Sequence, residues 1–211
     1  MFNINIIQNN TNTTIIDNGS DAVVFDPAMS ARELENYLSE KNLRLHAVYV
    51  THGHYDHIGA VTKTTAPWFM SHNDLDIIKW SNPILFAQGF GMVDIKKNPP
   101  IDIIEGEIEI LPGLKCTAIA TPGHSKGSMC FLFDESRITN HRSPILITGD
   151  TLFMSSVGRM DLPGGCEDTM RDTLQKIRAL NLSDETLVIP GHGHIGPLLN
   201  LKQHNHFWNN W

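Results

Sequence analysis

The chain has 211 residues, of which 41% are hydrophobic and 18% charged, proportions typical of a globular protein that buries a substantial core. Its 23 acidic and 16 basic residues give a net charge of −7 at pH 7, which disfavours general binding to nucleic acid or to anionic membranes. No apolar run approaches the ~20 residues that a membrane-spanning helix needs. The first residues lack the features of a signal peptide, and three scattered cysteines argue against a disulfide framework, so we expect a cytoplasmic protein.

Hydrophobic periodicity and turn residues predict strands and helices along most of the chain. Strands are predicted at 2–7, 13–16, 22–25, 46–50, 67–70, 101–104, 107–111, 114–120, 127–133, 143–147 and 186–189. Helices are predicted at 30–40, 58–65, 74–80 and 166–179, and the first opens on the capping-box pair Ser30 and Glu33. Because no linker interrupts this order, we expect a single domain over residues 1–211.

Two stretches give weaker patterns. Residues 81–99 contain Phe86, Phe90 and Met92 among glycines and prolines, which predicts an insertion that either packs on the domain or covers the substrate. Residues 194–211 show little periodicity. His46 lies in an apolar run, which predicts a position in the core.

The densest group of candidate metal ligands follows the fourth predicted strand. Residues 51–59 read Thr-His-Gly-His-Tyr-Asp-His-Ile-Gly and contain His52, His54, Asp56 and His57. Imidazole nitrogens and carboxylate oxygens suit zinc, iron or manganese. A structural zinc site often includes cysteine, and none lies near this loop. The loop therefore predicts a metal site with room for two ions.

Three later strands each end in a loop with one more candidate ligand, namely His124, Asp150 and His192. Each of these residues follows a glycine, which lets the chain turn sharply and directs the next side chain to a common point. Seven side chains are enough for two metals. Three histidines would serve one ion, an aspartate and two histidines the other, and one carboxylate would bridge them.

The ligand pattern resembles that of the metallo-β-lactamase fold superfamily, whose motif H-x-H-x-D-H matches residues 52–57. The resemblance covers essentially the whole chain. It implies an α/β fold, a four-layer αββα sandwich with the metals at one edge between the two sheets. It also implies the distribution of ligands: His52, His54 and His124 on the first metal, Asp56, His57 and His192 on the second, and Asp150 as the bridge.

Within that superfamily the chain is most similar to glyoxalase II-like hydrolases, through residues 121–128, 148–153 and 157–165. This likeness implies a small-molecule acyl substrate, a thioester such as S-lactoylglutathione, cleaved by a metal-bound hydroxide. The implied cofactors are two divalent transition-metal ions, zinc before iron or manganese, with Asp56 and Asp150 as catalytic residues. Full-length glyoxalase II carries a further helical domain after the last histidine, so this shorter chain is expected to recognise glutathione weakly.

Arg159, in the loop after the bridging aspartate, has two expected roles. By resemblance, a cation at this position binds a substrate carboxylate. The alternative is a salt bridge with Asp161 that shapes the loop. His72 is a further candidate for the rim of the site.

Other functions compete with thioester hydrolysis. A persulfide dioxygenase has a similar Gly-Arg-x-Asp loop and uses one iron, here held by His52 or His54, His124 and Asp150. The complete second ligand set favours hydrolysis instead. A lactonase or β-lactamase is a further hydrolytic alternative, and a non-enzymatic binding module would be expected to lack some ligands. The acidic net charge disfavours an RNA-processing nuclease.

Overall fold

In the computed structural model, which describes residues 2–134, 138 and 143–211, twelve strands form two six-stranded sheets. The strands of the first sheet, in spatial order, are β1 (Asn3–Gln8), β2 (Asn12–Asp17), β3 (Asp21–Phe25), β4 (Arg44–Tyr49), β5 (Trp68–Met70) and β6 (Ile101–Asp102). Those of the second sheet run β12 (Gly196–Pro197), β11 (Leu187–Pro190), β10 (Ile145–Gly149), β9 (Met129–Phe133), β8 (Leu114–Ala120) and β7 (Gly106–Leu111).

Five α-helices are found in the described part of the chain: α1 (Ala31–Glu40), α2 (Leu75–Ala87), α3 (Glu167–Ala179), α4 (Leu198–His204) and α5 (His206–Asn210). Short 3₁₀ turns cover Tyr55–His57, Gly59–Thr62 and His72–Asp74. Of the helices described, none is long and apolar enough to cross a membrane.

The alternation of residues along β4 shows how the layers form. Ala47 and Tyr49 belong to the cluster between the two sheets, whereas Val48 belongs to the cluster beneath α2. Between the sheets, the ring of Phe25 lies 5.3 Å from that of Tyr49 and 5.0 Å from that of Phe131. Such aromatic pairs contribute ~0.5–1.5 kcal/mol beyond the area that they bury. A strand that is apolar on both faces is therefore covered on both faces.

Helices cover the outer face of each sheet. The apolar face of α1 buries Leu34 and Leu38 against the first sheet, and α2 packs on the same side of the molecule. The second sheet is covered by α3, α4 and α5, with Leu174, Leu201 and Trp208 in one cluster. This arrangement confirms the four-layer αββα sandwich.

Most predicted elements are confirmed, and the capping box is present: the Ser30 hydroxyl accepts a hydrogen bond from the Glu33 amide, and the Glu33 carboxylate accepts one from the Ser30 amide. Three expectations were wrong. The helix predicted at 74–80 continues to Ala87, the helix expected at 58–65 is a 3₁₀ turn of four residues, and His46 is exposed. The tail after residue 194, for which little periodicity was seen, forms a strand and two helices.

Parallel pairing brings the ligand loops to one edge. Strands β3 and β4 are parallel in the first sheet, as are β10 and β11 in the second. Parallel strands end at the same edge of their sheet, so the loops after them are neighbours. The loops after β4, β10 and β11 contain six of the seven candidate ligands, and the loop after β8 contains the seventh.

Candidate metal centre

Two glycines shape the loops before the later candidate ligands. Gly123 has a φ of 141° and Gly149 a φ of 48°, conformations that residues with a Cβ atom rarely adopt. A Cβ atom on Gly123 would also lie 2.6 Å from the Cα atom of Met170 in α3. These positions let the chain turn sharply, and the side chains of His124 and Asp150 both reach the common centre.

Three buried histidines form the first group. The Nδ1 atom of His54 lies 2.8 Å from Nε2 of His124, which lies 3.2 Å from Nε2 of His52. Two nitrogens bound to one tetrahedral zinc ion at ~2.0–2.1 Å are themselves ~3.4 Å apart. The two separations are somewhat shorter than this value, and the three ring nitrogens converge closely enough to serve one cation.

Asp56, His57 and His192 form the second group, and Asp150 lies between the two. The Nε2 atom of His192 is 3.3 Å from Oδ2 of Asp56 and 3.5 Å from Oδ2 of Asp150. Oδ1 of Asp150 is 3.4 Å from Nε2 of His57, and its Oδ2 is 3.7 Å from Nε2 of His124. The two oxygens of Asp150 thus face both groups.

Contacts outside the centre orient four of the five rings. The oxygens that face their Nδ1 atoms are Thr51 Oγ1 for His52 at 3.1 Å, Asp26 Oδ2 for His57 at 3.0 Å, the carbonyl of Arg159 for His124 at 2.7 Å and the carbonyl of Asn10 for His192 at 2.5 Å. Such contacts leave Nε2 free to bind a metal. The ring of His54 has the opposite orientation: its Nδ1 atom faces the other ligands, and its buried Nε2 atom has no hydrogen-bond partner among the described residues.

Burial controls the protonation of the first group. It lowers the pKa of His52 well below its ordinary value, lowers the pKa of His54 to about 4, and also lowers the pKa of His124. These rings are therefore neutral at pH 7. Neutral imidazole is the form that donates a lone pair to a metal ion.

The second group behaves differently because carboxylates surround it. Hydrogen bonds to Asp150 and Asp56 raise the pKa of His192 to about 10. Burial opposes a charge on His57, but the carboxylates of Asp26 and Asp150 outweigh it and raise the pKa of that ring well above its ordinary value. In the metal-free protein, protons on these two rings thus occupy positions that a cation would take.

The chemistry of the donor set fits divalent cations. The Oδ1 atom of Asp150 is buried without a hydrogen-bond partner among the described residues, and three neutral imidazoles converge beside it. Without a cation, the lone pairs of the three neutral imidazoles would face one another inside the protein. A bound metal would satisfy them all at once.

Asp26 is a residue at this centre that the sequence analysis missed. It directly follows β3 and is buried, with a φ of 49°. Its carboxylate accepts hydrogen bonds from the backbone amide and the hydroxyl of Thr51, both at 2.8 Å, and also faces His57. The available signal was its position, since it ends a buried parallel strand as the recognised ligand loops do.

Asp74 is a second residue that was missed. This fully buried carboxylate accepts hydrogen bonds from the Gly53 amide at 2.9 Å, the Ser125 hydroxyl at 2.7 Å and the Gly127 amide at 2.6 Å. Burial raises the pKa of Asp74, and these three donors lower it in part. The residue joins the loop of His52 and His54 to the loop of His124.

A cleft of about 350 Å³ opens onto the two groups. Besides candidate ligands, its lining consists of Tyr55, Trp80, Phe153, Arg159 and Leu162. Residues 81–99, all described, contribute nothing to this lining, so the structure gives no support for the substrate-covering segment considered above.

Arg159 lines the cleft, as a substrate-binding role requires, and it also pairs with Asp161, as a loop-shaping role requires. Its Nε and Nη2 atoms donate hydrogen bonds to the two carboxylate oxygens of Asp161 at 2.7 and 2.6 Å. His72, expected near the rim, contacts the carbonyl of Pro100 at 3.1 Å and does not line the cleft. Arg159 also contributes to the centre through its backbone carbonyl, which orients the ring of His124.

Comparisons with known proteins agree with this geometry. Residues 6–192 match the family model described as "Metallo-beta-lactamase superfamily". The chain is 30% identical to the Probable metallo-hydrolase YqgX of Bacillus subtilis, over 94% of this chain and 92% of that protein. It is also 30% identical to the Hydroxyacylglutathione hydrolase GloC of Haemophilus influenzae, over 92% of this chain and 91% of that protein.

A solved structure extends the likeness to three dimensions. The crystal structure of TTHA1623 in a di-iron-bound form superimposes with a TM-score of 0.76 at 27% identity, covering 97% of this chain and 98% of that one. The family match spans most of the sequence, and the full-length relatives include metal-dependent hydrolases. The chain therefore belongs to the metallo-beta-lactamase superfamily and is a metal-dependent hydrolase of that family.

Proposed function

We propose that this chain is a binuclear metal-dependent hydrolase that cleaves a thioester such as S-lactoylglutathione. The observation that carries the proposal is the position of Asp150, whose two carboxylate oxygens face two separate groups of ligands. The 30% identity to a hydroxyacylglutathione hydrolase supports the substrate class, and the di-iron form of TTHA1623 supports two ions.

The proposed ligand set follows the two groups. His52, His54 and His124 hold the first ion, Asp56, His57 and His192 hold the second, and Asp150 bridges them. Zinc is the first choice because it accepts imidazole and carboxylate ligands without a redox change, and iron or manganese would suit the same atoms. When bound, two such ions lower the pKa of coordinated water to ~7 and polarise a substrate carbonyl.

The chain's own residues then position and protect the reacting groups. Asp56 lines the cleft, and besides holding the second ion its carboxylate is placed to relay a proton from the attacking water. Trp80 and Phe153 line the same cleft and exclude bulk water from it. We propose that Arg159, at the rim, binds a carboxylate of the thiol portion of the substrate.

Two measurements on the same preparation test this function. Elemental analysis after loading should find two transition-metal ions per chain, and a count that saturates at one would contradict the binuclear centre. The loaded protein is then offered S-lactoylglutathione, a lactone, a cephalosporin and a persulfide with oxygen. Thioester cleavage above the other three supports the proposal. Oxygen consumption with the persulfide and no thioester cleavage would replace it with the dioxygenase.

A further inference from the structure

The walls of the cleft carry information about the substrate that the candidate ligands do not. Among the described residues that line it, Tyr55, Trp80, Phe153 and Leu162 are aromatic or aliphatic. The one charged wall residue, Arg159, keeps 61% of its side chain exposed and is bonded to Asp161. Apart from the candidate ligands, the charged part of the lining is therefore exposed at the rim, and the other side chains of the lining are aromatic or aliphatic.

Trp80 is held firmly over the first ligand group. Its ring lies 5.6 Å from that of His54 at an angle of 64°, an edge-to-face contact. The next residue of α2, Ser81, is fully buried and donates a hydrogen bond to the carbonyl of Gly53 at 2.8 Å. Because Gly53 lies between two candidate ligands, this bond ties the helix and its tryptophan to the centre.

Phe153 is held beside the second group. Its ring lies 6.2 Å from that of His192. The buried Asn205 donates hydrogen bonds to the carbonyls of Phe153 and Ser156, both at 2.9 Å, and its oxygen accepts one from the Trp208 amide, also at 2.9 Å. The loop of Phe153 is therefore anchored to the C-terminal helix and does not rest on its own turn alone.

We infer that Trp80 and Phe153 form an acyl pocket that selects thioesters with an aryl group on the carbon α to the scissile carbonyl. The inference rests on the proposed thioester hydrolysis and deepens it. Both rings line the cleft that opens onto the two ligand groups, so a thioester whose carbonyl lies between these groups has its acyl substituent in the space that the rings border. A planar aromatic substituent gains stacking or edge contacts there that a methyl group cannot make.

A matched pair of substrates tests the inference. S-mandeloylglutathione and S-lactoylglutathione share the thiol and the α-hydroxyl group, and differ in a phenyl group against a methyl group. We expect kcat/KM to be about tenfold higher for the mandeloyl compound, as one good aromatic contact allows. Trp80→Leu and Phe153→Leu should each remove most of this preference, and Trp80→Phe should keep part of it. Phe86→Leu is the control, because Phe86 is 68% exposed on the same helix and lies outside the cleft.

A binding measurement keeps the test independent of turnover. Calorimetry with mandelate and lactate, the two acid products, should show about tenfold tighter binding of mandelate to the metal-loaded protein and no preference in Trp80→Leu. Equal rates and equal binding for the two compounds would overturn the inference while leaving thioester hydrolysis intact. Cleavage of neither thioester by the loaded wild type would instead overturn the proposed function.

Discussion

Replacing Asp74 by asparagine tests whether this buried carboxylate joins the two ligand loops. One of its oxygens accepts hydrogen bonds from the Gly53 amide and the Ser125 hydroxyl, and the other accepts one from the Gly127 amide. Asparagine has the same shape but only one oxygen. In either orientation its NH₂ group must therefore face a backbone N–H. The loop has little room to adjust, since a Cβ atom on Gly127 would lie 2.7 Å from Cγ of Asp74.

The expected loss follows from opposing contributions. A hydrogen bond to a charged group contributes ~1.5–3 kcal/mol, and a buried donor left unpaired costs ~1–3 kcal/mol. Asparagine also removes the free-energy cost of burying a charged carboxylate. That cost is evident from the raised pKa of Asp74, whose main cause is burial. We expect a net loss of about 2 kcal/mol, which for a chain of this size lowers Tm by ~4–8 °C. Because Gly53 separates two candidate ligands, zinc affinity should fall by about tenfold.

Thermal unfolding of the metal-free protein, followed by circular dichroism, measures the first effect, and competition with a chromophoric chelator measures the second. Asp76→Asn is the matched control, because Asp76 lies two residues further on, in the first turn of α2, with 89% of its side chain exposed, and pairs only with Lys79 among the contacts described. It should change stability by less than about 0.5 kcal/mol. If Asp74→Asn matches the control in both assays, the carboxylate does not join the loops.

Four further predictions concern the centre and the rim of its cleft. Asp150→Ala should lower metal content and remove nearly all turnover while the fold survives, with Asp172→Ala on the exposed side of α3 as control; retained turnover would mean that the ligand set is wrong. Loading the metal-free protein with zinc at pH 7 should release about two protons from His57 and His192, in addition to any that coordinated water gives up, and a pH-stat titration that detects fewer than two would contradict the raised pKa values. The raised pKa of His192 stabilises the folded metal-free protein fully only at pH values below the ordinary pKa of histidine. This contribution to the free energy of unfolding should disappear as the pH rises through about 10, and urea unfolding at a series of pH values can measure it. Arg159→Ala should raise KM for S-lactoylglutathione by about fivefold, the scale of an exposed charged contact, and leave a neutral thioester unchanged; equal losses on both would assign Arg159 to loop support.

The seven candidate ligands were accessible to sequence reasoning because they are local. Each follows an apolar strand and a turn, and both signals are contained in a few neighbouring residues. Asp26 and Asp74 have no such pattern around them. Their importance depends on contacts with residues about 25 and 50 positions away, Thr51 at 2.8 Å and Ser125 at 2.7 Å, which a single sequence does not display.

The errors in the helices have the same origin. The glycines and prolines of residues 81–99 favoured an end to the helix at residue 80, and Pro83 nevertheless lies inside α2 although proline removes a helical hydrogen bond. The helix continues because the side chain of Asn82 binds both the amide and the carbonyl of Val93, at 2.7 and 3.0 Å, and Leu85 is fully buried. Tertiary contacts outweigh local preference here.

The two tail helices were missed because they have seven and five residues, too few to display a period. Their stability comes from α3, where Arg178 donates hydrogen bonds to the carbonyls of Phe207, Trp208 and Trp211. The guanidinium of Arg171 also lies 4.0 Å from the ring of Trp211. That residues 1–211 form one domain, and that the protein is cytoplasmic, both stay predictions.

The anchoring of Phe153 by Asn205 has a practical consequence for protein engineering. A polypeptide shortened before Asn205, or an affinity tag that pulls α5 away from α3, would release the carbonyls that hold one wall of the cleft. Such a protein would keep every candidate ligand and could bind metal normally while processing substrates with altered selectivity. Tags for purification therefore belong at the amino-terminal end, where β1 lies at the edge of the first sheet and its residues are absent from the cleft lining.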